Sequence, residues 1–168
     1  MANNNVFRGS DASLTLSPQV SESEDGKTAA HYCEAYLKDQ PVGRATGITL
    51  VVRTELREFH EIGKRHAAQL RPGNIHISGT IEKASVDGFL LKSLLGKGAD
   101  SKREKEPYPC PVFNLTMDLN DSVSPDGVFK VTVNDLRFES WAFDLPEDDF
   151  VMENATFRAL SLSVEDGV

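Results

Sequence analysis

Four histidines, His31, His60, His66 and His76, are the residues from which a metal centre or a general base would be built. A helical zinc site needs two histidines four residues apart with a glutamate beside the first, and a ribbon site needs closely paired cysteines. His60 and His66 are six residues apart around Gly63, which fits neither, so all four are read as ordinary surface or strand histidines. The acidic run Glu147-Asp148-Asp149 lacks the alternating oxygen ligands of a calcium loop and reads as a solvated turn after Pro146. Cys33 and Cys110 stand far apart with no C-x-x-C pattern. Free thiols are the first reading, and a Cys33–Cys110 disulfide is the second, open to an assembled particle that meets an oxidising exterior. No G-x-S-x-G, Walker loop or dinucleotide fingerprint occurs. No residue is therefore nominated as catalytic or as a metal ligand, no cofactor is expected, and the chain is not read as an enzyme.

The charge balance narrows the partners. Coating nucleic acid requires clustered Lys and Arg, whereas this chain carries a net charge of -8. The basic residues Lys97, Lys102, Arg103 and Lys105 are interrupted by Asp100 and Glu104, without interleaved aromatics, and read as a solvated loop. No stretch approaches the roughly 20 apolar residues of a membrane span. The Asn-rich start Met1 to Asn5 lacks the regions of a signal peptide, so the expected compartment is a cytoplasm and no membrane partner is expected.

What must position these residues is a β-rich scaffold. Period-two alternation, the signature of a strand with two distinct faces, recurs in Ile48 to Arg53, Ile75 to Ile81, Phe113 to Asp118 and Phe129 to Asn134. Leu136 to Phe143 continues the last of these after a bulge near Asn134 and Asp135, and Pro146 ends it. Val151 to Val164 reads as one long closing strand, and Leu14 with Leu16 as a short opening one. Only one segment has helical period: Val86, Phe89, Leu90 and Leu94 share a face, with Asp87 or Ser85 as cap and Gly96 past the end. With 168 residues and 39% hydrophobic content, one core is expected: a single domain over 1–168. It carries an N-terminal arm or projecting hairpin at about 18–43 and an exposed loop at about 97–111. The fold class is mainly β, a β-barrel or two packed antiparallel sheets with one short flanking helix.

Two blocks resemble a known family. The first runs through Gly47-Ile48-Thr49-Leu50-Val51-Val52-Arg53, Glu58-Phe59-His60-Glu61-Ile62-Gly63, Pro72-Gly73-Asn74-Ile75-His76-Ile77-Ser78-Gly79-Thr80-Ile81-Glu82-Lys83-Ala84 and Val86-Asp87-Gly88-Phe89-Leu90-Leu91-Lys92-Ser93-Leu94-Leu95-Gly96. The second joins Val133 to Trp141, Pro146 to Asp149 and Glu153 to Ala159. Together they resemble the tail tube proteins of tailed bacteriophages and related contractile injection systems, including the Hcp-like tubes. The resemblance implies a virion structural protein in six-membered rings that stack into the inner tail tube, a conduit for DNA ejection. It would be assembled in the host cytoplasm and would meet the sheath, the baseplate or initiator and the tail terminator; DNA would pass through the lumen without specific binding. The resemblance also implies that the hairpin from Arg53 through Glu61 reaches the neighbouring ring through Glu55, Leu56, Arg57, Glu58, Phe59 and Glu61, with Phe7 and Arg8 bridging subunits. Trp141 is expected in the core. Two rivals stay open: a tube of a secretion or injection system that passes effectors, and a monomeric β-barrel binding a small ligand in an apolar pocket.

Overall fold

Strand-forming alternation is realised as seven strands among the residues that the computed structural model describes, 7–19, 22–37, 45–84, 87–96, 109–120 and 128–166. In chain order they are β1 (Ala12–Pro18), β2 (Ala45–Phe59), β3 (Gln69–Ala84), β4 (Phe113–Asn120), β5 (Val128–Asp144), β6 (Met152–Ala159) and β7 (Ser161–Asp166). Two helices intervene, α1 (Glu24–Tyr36) and α2 (Phe89–Leu95). All pairings are antiparallel, in the order β1-β4-β5-β6-β3-β2, with β7 also on β5. Among the described residues no ladder joins β1 to β2, so the backbone hydrogen bonding leaves those two edges open.

β5 is the hub. Its first half pairs with β4 and β7, its second half with β6. The halves meet at the expected bulge: Leu115 faces Val133 but Phe113 faces Leu136, and Asp135 sits at φ +55°, a left-handed conformation that Asp tolerates better than most residues. The Asp135 N–H donates to Asn114 Oδ1 at 3.2 Å, and its carboxylate accepts from Gln19 Nε2. The local kink is thus held by side chains of the neighbouring segments.

The core lies on the inner sheet face and under the helices. Ile77, Ile81, Leu115, Val133, Phe138 and Phe157 are buried there with Phe89 and Leu90 of α2 and Ala29 of α1. Each large apolar side chain so buried stabilises by about 1.5–3 kcal/mol. Edge-to-face contacts run from Phe89 to Phe113, Phe138 and Phe157, with centroids 6.0, 5.8 and 6.5 Å apart, and they tie α2, β4, β5 and β6 into one unit. Trp141 packs against this cluster, as expected, and its Nε1–H donates to Glu153 Oε2 at 2.9 Å. Glu153 and Lys83 are themselves buried and face one another at 3.6 Å. α2 begins where Asp87 Oδ1 accepts the Phe89 N–H at 3.0 Å. It ends at Gly96, φ +59°, where a Cβ would strike the Pro109 carbonyl oxygen.

Three expectations need correction. The region 18–43 is not a projecting hairpin where it is described: residues 24–36 form α1, capped by Ser23 Oγ accepting the Gly26 N–H at 3.2 Å, and they pack on β1 and α2. The sheet therefore carries two flanking helices, not one. The closing strand is broken at Leu160, whose N–H turns to Asn134 O at 3.3 Å; β6 stays between β3 and β5 while β7 moves along to the first half of β5. Of the loop at 97–111, residues 97–108 lie outside the described residues, as do Ser85 and Val86 of the expected helix start.

Candidate assembly surface

β2 and β3, 15 and 16 residues long, pair with one another beyond the body of the sheet. The ladder of β3 with β6 ends at Ile77↔Ala159, yet β2 and β3 remain paired from Arg53↔His76 out to Phe59↔Gln69. At roughly 3.3 Å per residue, the free part projects about 20 Å before the connecting turn at 60–68.

Directly opposed residues of a ladder share a face, so the register sorts the side chains. One face carries Val52, Leu56, Ile75 and Leu70, which continues the row formed at the base by Ile48, Leu50, Ile77 and Ile81. At the base this row is core, with Ile81 fully buried; on the projection Leu56, Leu70 and Ile75 are 62%, 60% and 64% exposed. The apolar stripe of the core thus runs out into solvent. The other face holds Arg53, Glu55, Arg57 and Phe59 with His76, Arg71 and Gln69. A register shift between Thr54↔Ile75 and Leu56↔Pro72 places two β3 residues opposite Glu55, which bends and twists the projection.

The structure brings together six of the eight assembly residues expected from sequence. Glu55 Oε1 meets His76 Nε2 at 2.9 Å, and this hydrogen bond holds the Glu55 carboxyl below its ordinary 4.5. Glu58 pairs with His60 at 3.1 Å, and Glu61 with Lys64 at 2.9 Å across the turn. Leu56, Arg57 and Phe59 are exposed. Phe7 and Arg8 are not part of this surface. They precede β1, at the opposite end of the strand order, where the Arg8 N–H donates to Asp11 Oδ2 at 2.9 Å and opens a short 3-10 turn over Gly9–Asp11.

The second arm was missed. Leu70, Arg71, Ile75 and His76 contribute as much to the projection as the first arm does, together with Ile62 at its tip. Their signal was present in the alternation Ile75, Ile77, Ile81; what it lacked was any mark of where burial stops.

Elsewhere the chemistry is sparse. Among the described residues no group of three or more His, Cys, Asp or Glu is placed to hold a metal, and no helix is long and apolar enough to cross a membrane. Cys33 and Cys110 form no disulfide among the described residues, and burial pushes the Cys33 thiol up to about 11, which suppresses its thiolate. An open cavity of about 920 Å³ lies on the outward sheet face beside Thr49, Arg53, His76, Thr80, Thr156 and Arg158.

No family model matches the sequence, and no curated protein matches it. Solved structures do. A chain of the PVC sheath-tube complex, from an extracellular contractile injection system in its extended state, superposes with TM-score 0.60 at 10% identity, covering 97% of this chain and 93% of that one. The SPP1 tail tube gives TM-score 0.60 at 10% identity, over 96% of this chain and 80% of that one. A chain from the tube-terminating cap of the anti-feeding prophage gives 0.60 at 13%, over 99% and 95%. At such identities the likeness is one of fold: the chain has the architecture of phage and injection-system tail tubes over nearly its whole length.

Proposed function

We propose that this chain is the repeating, non-catalytic subunit of the inner tail tube of a phage-type particle. Six copies form a ring, and rings stack into a conduit for DNA on its way into the host. The observation that carries this reading is the β2–β3 projection, whose core-type apolar stripe is left uncovered on a fold shared with tube proteins. Uncovered stripes of this kind mark surfaces that are buried in an assembly, and open sheet edges become useful once a neighbouring copy lies against them. A net charge of -8 suits the cargo, because an acidic wall repels phosphates and lets DNA slide past. The sheath, baseplate or initiator and terminator are the partners such a tube requires. The working location is the virion tail, after assembly in the host cytoplasm.

A second reading, a tube that passes protein effectors from an injection system, is favoured by the PVC and anti-feeding-prophage likenesses, which cover the chain as fully as the SPP1 tail tube does. Neighbouring genes separate the two: capsid and terminase accompany a DNA conduit, a secretion ATPase or toxin cargo the other. The reading common to both is tested by negative-stain electron microscopy and sedimentation over a concentration series, with and without baseplate initiator. Hollow tubes with sixfold end views are expected. A uniform monomer under all of these conditions overturns the proposal.

A further inference from the structure

Arg137 of β5 and Arg158 of β6 are direct cross-strand partners on the outward face, a placement that is unfavourable for two like charges. Each is partly offset. Arg137 donates to Asp25 Oδ2 at 2.8 Å and to the Cys110 carbonyl at 3.2 Å, and Arg158 Nε donates to Glu139 Oε2 at 3.1 Å. A guanidinium has five N–H donors, so both retain donors for a further acceptor, and both side chains are more than half exposed. They line a cleft of about 300 Å³ with Gln19, Val112, Asp135 and Leu160. The Asp135 carboxylate there is engaged by the Gln19 amide, and Leu160 is 80% exposed. The cleft thus offers two exposed guanidiniums, each already paired with one carboxylate and each keeping spare N–H donors, beside an apolar lip.

The complementary shape exists on the same chain. The turn between β5 and β6 places Glu147, Asp148 and Asp149, all exposed, between Leu145 and Phe150, which are 73% and 82% exposed. None of the three carboxylates forms an ion pair among the described residues. An acidic run bracketed by two bare apolar side chains is an unusual thing to leave in water. The turn and the cleft cannot meet within one copy: Arg137↔Arg158 and Asp144↔Met152 stand six steps apart along β6, about 20 Å at roughly 3.3 Å per residue.

We infer that the 145–150 turn of one copy docks into the Arg137/Arg158 cleft of the next, a head-to-tail contact made by two ends of a single hairpin. Such a heterologous contact closes into a ring or continues as a filament, depending on the rotation it imposes. The inference rests on the tube reading, because it names the surface through which copies of this chain join.

The test uses the full chain and two charge-reversed variants. Asp148→Lys/Asp149→Lys alters only an exposed turn, and Arg158→Glu alters the cleft. Melting curves of dissociated protein check that each folds, with Arg158→Gln as a milder second cleft variant. Each reversal alone is expected to raise the concentration needed for assembly by about tenfold or more. An equimolar mixture of the two is expected to assemble again, because alternating copies then present one native and one swapped pair of charges. Single variants that assemble like the wild type, or a mixture that stays dissociated, overturn the docking while leaving the tube reading intact. A wild-type chain that never assembles removes both. Loss of binding to a short DNA duplex in Arg158→Glu, with assembly unaffected, assigns the cleft to phosphates and overturns the docking.

Discussion

The ring of Phe157 occupies the space that a side chain at residue 79 would need. Gly79 and Phe157 are register partners on β3 and β6, and a Cβ on Gly79 would overlap both the Phe157 ring and the Thr49 carbonyl oxygen. In a row that otherwise reads Ile75, Ile77, Ile81, the single glycine is where the last ring of the aromatic chain seats against the backbone.

Replacing Gly79 with Ala is therefore expected to destabilise the folded chain by about 1–3 kcal/mol, the usual cost of overpacking a close-fitted core. Chemical denaturation of the dissociated protein measures it. Shrinking the ring relieves part of the clash, so Phe157→Leu should cost less in the Gly79→Ala background than in the wild type. Strictly additive costs would show that the two residues do not compete for one space.

Buried charge supplies the next prediction. Lys83 and Glu153 are 1% and 2% exposed and 3.6 Å apart, with Asp87 also 3.6 Å from the ammonium. Removing one member of a buried pair strands the other, which costs about 3–5 kcal/mol. Lys83→Met is expected in that range. Lys83→Met/Glu153→Gln should recover part of the loss, since Gln has no charge to strand and can still accept the Trp141 N–H. Equilibrium unfolding followed by Trp141 fluorescence distinguishes recovery from simple addition.

The strand runs centred on Leu50, Ile77, Leu115 and Val131 were legible because each has one buried and one outward face, and alternation encodes that difference directly. The bulge at Asn134 and Asp135 was legible too. α1 was not, although Ala29, Tyr32, Cys33 and Tyr36 fall at i, i+3, i+4 and i+7 behind a Ser23 cap. Its fully buried members, Gly26 and Ala29, are small, so its apolar stripe is faint beside the acidic turn that precedes it. The break at Leu160 left no local mark, because the kink in β5 imposes it from across the ladder. The same limit hid half of the candidate surface on the projection: period two looks alike whether its apolar row is covered, as at Ile81, or bare, as at Ile75.

Glu55 and His76 offer a pH-dependent reading of the projection. The hydrogen bond from His76 lowers the Glu55 carboxyl from its ordinary 4.5. A depressed carboxyl keeps its contact while ionised and loses it as pH falls through the folded-state value. The link is thus expected intact at neutral pH and opened only below pH 4.5. An NMR titration of the Glu55 carboxyl carbon should place its midpoint under 4.5 and show it rising in His76→Ala. A midpoint that ignores the substitution would break the assignment.

Two exposed apolar side chains of the projection give a prediction in which stability and assembly separate. Leu56 and Phe59 lie on opposite faces of the hairpin, at 62% and 58% exposure, so neither contributes much to the core of a lone subunit. Substitutions at exposed positions usually shift stability by no more than about 0.5 kcal/mol. Leu56→Asp and Phe59→Asp are accordingly expected to melt like the wild type when dissociated. In an assembly the same change buries a carboxylate against apolar surface, which is costly without a partner, and stacking into tubes should fail. Leu56→Met, which keeps the apolar surface, should stack normally. Tubes of ordinary length from either aspartate variant, seen by negative-stain microscopy, would take that side chain out of the contact between rings.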